Sequence, residues 1–162
     1  RRIANNVYAM NSAYSSQKPT ILLNSHHDTV KPNKGYTLDP FEPTEIGGKL
    51  YGLGSNDAGG CLVSLIAAFL HYHDRADLPF NLVLAATAEE EISGTNGIEL
   101  TLPHLGPVDC AIVGEPTLLD MAVAERGLMV LDAMALAAGE TGHGVPRAAA
   151  SAANDATVGS GS

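Results

Sequence analysis

The sequence predicts an α/β fold: a three-layer sandwich with a largely parallel sheet. Three short apolar runs, at 20–24, 80–86 and 110–113, have the length and composition of parallel strands that are buried on both faces. Segments with helical patterns separate these runs along the chain. Strands that alternate with helices are typical of a parallel sheet covered by helices on both sides.

The first half of the chain is predicted to contain a strand, a long loop and a buried helix. The strand TILLN at 20–24 is followed by a segment at 32–49 that is rich in Pro, Gly and charge, which indicates a surface loop. The apolar segment GGCLVSLIAAFLH at 59–71 predicts a buried helix. Asp57 precedes this helix, where a carboxylate can cap its N-terminus.

The second half is predicted to contain a shorter helix and a further strand. The helix is expected at 96–102 and ends at Pro103, because proline disrupts a continuing helix. The apolar stretch LMVLDAMALA at 128–137 predicts another strand. The segment AAASAANDATVGSGS at 148–162 contains one large aliphatic residue, so it cannot form a core of its own.

The overall composition excludes several classes of partner. The 162 residues suffice for one domain with a core. A net charge of −9 argues against nucleic-acid binding, and no apolar run is long enough to span a membrane. Cys61 and Cys110 lie in apolar runs without a C-x-x-C spacing, which predicts buried free thiols and a reducing compartment. No signal peptide is visible, so we expect a cytoplasmic protein, although Arg1 indicates that the natural start is missing.

Polar clusters follow each predicted strand. They are SHHDT at 25–29, TAEEE at 87–91 and GEPT at 114–117, with Asp57 as a further carboxylate before the first helix. Each cluster alone has an ordinary interpretation as a surface turn, a solvated acidic face or a loop. Because the carboxyl ends of parallel strands share one edge of a sheet, we expect the clusters to converge.

Their combination predicts a metal site. Neighbouring glutamates beyond a buried strand repel one another, and their desolvation costs free energy unless a cation neutralises them. One imidazole with several carboxylates is a ligand set that suits zinc.

Five segments together resemble a known enzyme family. They are SHHDTV (25–30), YGLGSNDAGG (51–60), AEEEISG (88–94), VGEPT (113–117) and AERGLMVLD (124–132). In this order and spacing they are similar to the zinc amidohydrolases that include acetylornithine deacetylase, succinyl-diaminopimelate desuccinylase, aminoacylase and carboxypeptidase G. The resemblance covers most of residues 17–144 and is strongest to the acetylornithine deacetylase branch.

The resemblance implies roles for the residues around the first strand and the glycine-rich turn. His26 is implied as a zinc ligand, and Asp28 as the carboxylate that orients the His26 ring. His27 then occupies a variable position as an ordinary exposed histidine. Asp57 is implied as the carboxylate that bridges two zinc ions and offsets their mutual repulsion.

The resemblance also divides the glutamates by role. Glu89 takes a leading acidic position, Glu90 is the catalytic base and Glu91 is a zinc ligand; an assignment shifted by one residue stays open. Glu115 is implied as a second carboxylate on the metal that His26 binds.

The reaction implied by the resemblance is hydrolysis of an amide in an N-acyl amino acid, of the N-acetylornithine or N-succinylornithine type. Two zinc ions are implied for an intact site, with Glu90 moving the proton from water to the leaving amine. An intact family member is expected to be a homodimer, formed through an inserted lid domain.

Three departures from the family pattern lead us to expect a fragment of an enzyme. No histidine follows His143, so the second zinc site is expected to be incomplete. Gly59 stands where many relatives have lysine. Gly142-His143 resembles a lid motif whose histidine stabilises the oxyanion in a neighbouring subunit, but the lid stops early. We therefore expect a partial metal-binding catalytic domain at 1–126, the beginning of a lid at 127–147 and a low-complexity end at 148–162.

Two other functions remain open from the sequence. One is a metal-binding or interaction module without activity, which the incomplete second site favours. The other is a dipeptidase or carboxypeptidase, since such enzymes share the same metal ligands.

Overall fold

The structure, a computed structural model, describes residues 1–118 and 120. Within these residues it has seven strands and two α-helices. The strands are β1 (Arg2–Ile3), β2 (Asn6–Met10), β3 (Thr20–His26), β4 (Thr44–Ile46), β5 (Lys49–Tyr51), β6 (Asn81–Thr87) and β7 (Cys110–Val113). The helices are α1 (Cys61–Tyr72) and α2 (Ile98–Thr101), with an irregular helical turn at Ser55–Gly60 and a 3-10 turn at Leu102–His104.

Five strands form the main sheet in the order β1-β2-β6-β3-β7. The three predicted strands, β6, β3 and β7, run parallel, while β1 and β2 are antiparallel to their neighbours. His26 at the end of β3 pairs with Thr87 at the end of β6. The carboxyl ends of the parallel strands therefore meet at one edge, and the prediction of an α/β fold with a largely parallel sheet is confirmed.

Helical segments cover both faces of this sheet. Phe69 of α1 packs against Leu23 and Leu82 on one face. Leu105, which follows the 3-10 turn, packs with Leu22 on the opposite face. Successive residues of a strand point to opposite faces, so Leu22 and Leu23 enter different layers of the core. Burial of each such leucine contributes about 2 kcal/mol.

Several elements differ from the sequence prediction. The hairpin of β1 and β2 was not predicted, because these short strands mix polar and apolar residues. The expected loop at 32–49 contains β4 and part of β5. The second helix is shorter than expected, and Pro103 lies inside the 3-10 turn that follows α2.

Two residue-level predictions were wrong. Asp57 does not cap α1, because the turn at Ser55–Gly60 intervenes and Gly60 occupies the N-cap position without a side-chain bond. Cys110 is exposed, since all four residues of the edge strand β7 are exposed, whereas Cys61 is partly buried. Among the described residues, no helix has the length and apolar character that a membrane span requires.

The predictions for the C-terminal region lie outside the described residues. They comprise the strand at 128–137, the lid segment at 127–147, the low-complexity end at 148–162 and the candidate His143.

Candidate metal centre

His26 is the centre of the candidate site. It ends β3, and only 1% of its side chain is exposed. Its Nε2 lies 3.1 Å from Oδ1 of Asp57, 3.8 Å from Oε2 of Glu90 and 3.9 Å from Oε2 of Glu115. These three carboxylates come from three different loops, so the fold brings together residues that are far apart in the sequence.

Two overlapping groups of side chains have the geometry to hold a cation. One consists of His26, Asp57 and Glu115, and the other of His26, Glu90 and Glu91; in each, the candidate ligand atoms lie within 4.8 Å of one another. Two ligand atoms on a tetrahedral zinc ion are separated by about 3.3 Å. The separation between His26 and Asp57 is close to this value, and those from His26 to Glu90 and Glu115 are about half an ångström longer. One imidazole with carboxylate oxygens is a donor set that fits zinc.

Asp57 reaches the site from the glycine-rich turn before α1. Gly54 adopts a left-handed conformation with φ of 73°, and its carbonyl oxygen accepts a hydrogen bond from the amide of Gly59 at 2.8 Å. A Cβ atom on Gly59 would lie 2.5 Å from that oxygen. The two glycines therefore permit the tight turn from which the Asp57 carboxylate projects towards His26.

Asp28 connects His26 to the loop after β6. Its backbone carbonyl oxygen lies 3.0 Å from Nδ1 of His26, whereas its carboxylate oxygen Oδ1 lies 3.5 Å from the same atom. The carboxylate accepts hydrogen bonds from the backbone amides of Glu90 at 3.3 Å and Glu91 at 3.2 Å. Asp28 thus contacts the ring through its backbone and the glutamate loop through its side chain, and the second role was not expected from the sequence.

The first of the three consecutive glutamates points to a different place from the other two. Glu89 has a left-handed conformation with φ of 61°, and its carboxylate accepts a hydrogen bond from the amide of Asn96 at 3.0 Å. Glu90 and Glu91 face His26 instead. The left-handed residue turns the chain between Glu89 and its two neighbours, so only the latter two join the cluster.

Glu115 is placed by the segment that follows β7. The hydroxyl of Ser25 donates to the carbonyl oxygen of Gly114 at 2.8 Å, and the amide of Gly114 donates to the carbonyl oxygen of Asn24 at 2.8 Å. A Cβ atom on Gly114 would lie 2.9 Å from a methyl group of Leu65. Close packing and two hydrogen bonds therefore hold the residue before Glu115 against β3.

The site is electrostatically crowded. Burial of the His26 ring disfavours its charged form, but the charge of Glu115, the hydrogen bond with Asp57 and the charge of Glu90 together raise its pKa. Burial, followed by the charges of Asp57 and Glu90, raises the pKa of Glu91. These directions are those expected where acidic groups share a site without enough positive charge.

The pKa of Glu115 is shifted in the same direction as that of Glu91. Burial raises the pKa of its carboxyl, and although His26 opposes this shift, the charge of Glu90 adds to it. A divalent cation among these groups would favour the charged carboxylates and the neutral His26 ring, which is the electrostatic condition for a metal centre.

A cavity of about 590 Å³ adjoins the cluster. Asp57 and Glu91 contribute to its wall, together with Tyr36 and Tyr51. Among the described residues, three charged side chains line the cavity, and all are acidic: Asp57, Glu91 and Asp39. The cavity lies beside the candidate ligands and has room for part of a small molecule.

The structure gathers five of the predicted site residues in one cluster, with Asp28 directly beside it. The five are His26, Asp57, Glu90, Glu91 and Glu115. His27 is exposed, and its Nε2 lies 2.9 Å from the backbone oxygen of Asn5. His143 lies outside the described residues.

The sheet thus collects one histidine and several carboxylates at the carboxyl ends of its parallel strands, an arrangement that fits a metal centre. The chain belongs to peptidase family M20/M25/M40, whose sequence profile matches residues 22–156.

The relatives and solved structures that resemble it are longer. Acetylornithine deacetylase from Buchnera aphidicola subsp. Acyrthosiphon pisum (strain Tuc7) is 34% identical over 139 residues, which are 84% of this chain and 35% of that protein; the values for strain APS are the same. The metallo-carboxypeptidase Sso-CP2 from Sulfolobus solfataricus is 27% identical, with a TM-score of 0.54 over 67% of this chain and 25% of its own. Human carnosine dipeptidase 1 is 26% identical, with a TM-score of 0.50 over 68% of this chain and 25% of its own. The chain thus spans about a third of the length of the curated relatives that it matches.

Proposed function

We propose that the chain is the metal-binding part of a zinc-dependent hydrolase that cleaves the amide bond of an N-acyl amino acid. The substrate is of the N-acetylornithine or N-succinylornithine type, in line with the activity named for the 34% identical relatives. The observation that carries this proposal is the convergence of the buried His26 ring with the carboxylates of Asp57 and Glu115.

The residues of the two overlapping groups take distinct roles. His26, Asp57 and Glu115 hold one zinc ion, and this group matches the ligands that the family resemblance implies for the first metal. A second zinc ion would be held by Asp57, as the carboxylate shared with the first, and by Glu91. Apart from His26, which is assigned to the first ion, the described residues provide no histidine for this second ion, so we expect its occupancy to be weaker than that of the first.

The chemistry follows from the positions of Glu90 and Asp28. Bound zinc supplies Lewis acidity, which polarises the acyl carbonyl and makes a water molecule acidic enough to react near neutral pH. The Glu90 carboxylate is exposed at the edge of the cluster, where it can accept a proton from the attacking water molecule and donate it to the leaving amine. Asp28 holds the backbone of Glu90 through its amide and thereby orients the base.

The cavity beside the cluster supports a substrate with a cationic side chain. Its acidic lining residue Asp39 is not a candidate zinc ligand, so its charge remains available to a bound ammonium group. Ornithine carries such a group, whereas a substrate with an extended acidic side chain would meet like charge.

Peptide hydrolysis is the second candidate function. Sso-CP2 and human carnosine dipeptidase 1 share the fold with this chain at 27% and 26% identity. The same ligands and the same base would serve a peptide bond, because an amide is cleaved in both reactions. We further propose that the intact protein is a homodimer, as the family resemblance implies.

Zinc titration of the purified chain tests the metal assignment. We expect His26→Ala and Glu115→Ala to weaken zinc binding at least about tenfold, while His71→Ala, which removes an exposed histidine from α1, leaves it unchanged. Equal affinity in all four proteins would remove the basis of the proposal. Rates with N-acetylornithine, N-succinylornithine and dipeptides, measured on the longest natural polypeptide that contains this chain, then separate a deacylase from a peptidase. Bound zinc without cleavage of any of them would favour a module without activity.

A further inference from the structure

We propose that Asn6 is a positioning residue for Glu90 and Glu91, an inference that rests on the function proposed above. Asn6 begins β2, and its side chain bonds neither glutamate. Its Oδ1 accepts a hydrogen bond from the amide of Ala88 at 2.9 Å, and its Nδ2 donates to the carbonyl oxygen of Asn96 at 2.6 Å. The side chain therefore joins the two ends of the loop 88–96, which carries both glutamates.

The surroundings of Asn6 fix the orientation of its side-chain amide. The residue is fully buried, and the second hydrogen of Nδ2 is donated to the carbonyl oxygen of Ile3 at 3.1 Å. A buried amide whose donors and acceptor are all paired is fixed in orientation, because any rotation would leave polar atoms without partners.

The loop is also held from within. Glu89 accepts hydrogen bonds from the backbone amide of Asn96 at 3.0 Å and from its Nδ2 at 3.2 Å. Asn96 is thus held at its carbonyl oxygen by Asn6 and at its amide by Glu89. A Cβ atom on Gly97 would lie 2.2 Å from the carbonyl oxygen of Ala88, so the two ends of the loop are in close contact.

These contacts connect β2 to the loop that carries Glu90 and Glu91. Asp28 fixes the amides of Glu90 and Glu91 on one side of the loop, and Asn6 fixes its two ends on the other. Metal ligands must be held to within a few tenths of an ångström, and groups that orient them change metal affinity when they are removed. Loss of the Asn6 bridge should therefore weaken zinc binding without removing any ligand.

Asn11 provides a matched control. It is also an asparagine, is 3% exposed, and follows directly after β2. Its Oδ1 accepts a hydrogen bond from the amide of Leu82, near the opposite end of β6 from the site. Asn6→Ala and Asn11→Ala therefore each leave one buried amide of β6 or its following loop without its side-chain partner.

The test compares the two variants by zinc titration and by amide hydrogen exchange at Glu90 and Glu91. We expect Asn6→Ala to weaken zinc binding about tenfold and to speed exchange at both amides, while Asn11→Ala changes neither by more than about twofold. Equal effects of the two substitutions would overturn the inference. If Asn6→Ala does not fold, Asn6→Asp and Asn11→Asp give the same comparison, since Asn6→Asp keeps the acceptor for Ala88 and loses only the donors.

A double-mutant comparison separates positioning from general loss of structure. In a Glu91→Gln background the effect of Asn6→Ala on zinc affinity should largely disappear, whereas in a Glu115→Gln background it should persist. Persistence in both backgrounds would overturn the inference. If the unmodified chain takes no zinc, the proposed function fails by itself, and exchange at Glu90 and Glu91 alone decides whether Asn6 positions the loop.

Discussion

The imidazole Nε2 of His26 lies 3.1 Å from Oδ1 of Asp57, although 31 residues separate the two in the sequence. This contact joins the end of β3 to the turn before α1, and it allows the two side chains to share one proton or to bind one cation together. When no metal is bound, a proton on His26 is stabilised by the surrounding carboxylates. The proposed zinc ion would replace that proton, so metal binding and protonation of the site would be thermodynamically linked.

The first prediction is that zinc affinity falls as the pH is lowered through the raised pKa of His26. Below this pKa the ring holds a proton that zinc must displace, so affinity drops by about tenfold per pH unit for each proton displaced. Titration calorimetry in buffers of different ionisation enthalpy measures both the affinity and the number of protons released. Affinity that stays constant as the pH falls would show that His26 is not a ligand.

The second prediction is that Glu91→Gln stabilises the metal-free protein while it weakens zinc binding. Folding raises the pKa of Glu91 through burial and the charges of Asp57 and Glu90, so the folded state binds this proton more tightly than the unfolded state. Stability therefore falls as the pH rises through the interval between the ordinary pKa and the raised one, and stays lower above it. At neutral pH the substitution should add about 0.5 kcal/mol, a small value because solvent screens the partly exposed group.

Thermal unfolding with and without zinc tests this prediction. The gain in Tm from Glu91→Gln should be present at neutral pH and should vanish at acidic pH, where the glutamate is already protonated. Excess zinc should raise the Tm of the unmodified chain more than that of the variant, because stabilisation by a ligand grows with the ratio of its concentration to its Kd and the variant has the higher Kd. A ligand at a hundred times its Kd contributes about 2.7 kcal/mol. Glu99→Gln, at an exposed position of α2, is the control and should show neither effect.

The sequence predicted those strands of the fold whose burial is reflected in a run of apolar residues. The runs at β3, β6 and β7 are apolar because parallel strands in a sheet have neighbours on both faces, although the edge strand β7 proved to be exposed. The strands β1 and β2 were missed because each is short and has polar residues such as Asn6 among its apolar ones. Their place in the sheet depends on pairing with β6, which lies far away in the sequence.

In the candidate site, too, some features could be predicted from local sequence and others depend on the folded backbone. The positions of His26 and Glu115 at or just after strand ends followed from the strand prediction. The metal-binding roles proposed for them came from the family resemblance. The hydrogen bonds from the Glu90 and Glu91 amides to Asp28 were not predictable, because they depend on the left-handed conformation of Glu89. No local pattern indicates that conformation, since glutamate rarely adopts it.

The third prediction concerns the tight base of the glutamate loop. Gly97→Ala would place a Cβ atom 2.2 Å from the carbonyl oxygen of Ala88, so the two backbone segments must move apart. We expect a loss of about 1–3 kcal/mol in the free energy of unfolding, together with weaker zinc binding. Chemical denaturation measures the first and zinc titration the second. Gly52→Ala is the control, because the added Cβ atom would lie 4.0 Å from its nearest neighbour, the carbonyl oxygen of Pro40. A comparable loss of stability in this variant would argue against the steric explanation.

The fourth prediction compares two serines with the same kind of hydrogen bond. Ser25 and Ser64 each donate from Oγ to a backbone carbonyl oxygen at 2.8 Å, the first to Gly114 and the second to Gly60. Ser25 is buried and its bond fixes the residue before Glu115, whereas Ser64 is exposed on α1. Ser25→Ala should therefore cost about 1 kcal/mol of stability and weaken zinc binding several-fold, up to about tenfold.

Ser64→Ala should leave zinc binding unchanged, because its hydrogen bond lies along α1 and fixes no candidate ligand. Zinc titration and denaturation of both variants separate loss of a hydrogen bond from loss of ligand position. If Ser25→Ala lowered stability but left zinc affinity at the value of the unmodified chain, then Glu115 would either not bind the metal or reach it without help from Gly114. In that case the same titration on Glu115→Ala decides between the two: unchanged affinity would mean that Glu115 does not bind the metal, and weaker binding would mean that it reaches the metal without help from Gly114.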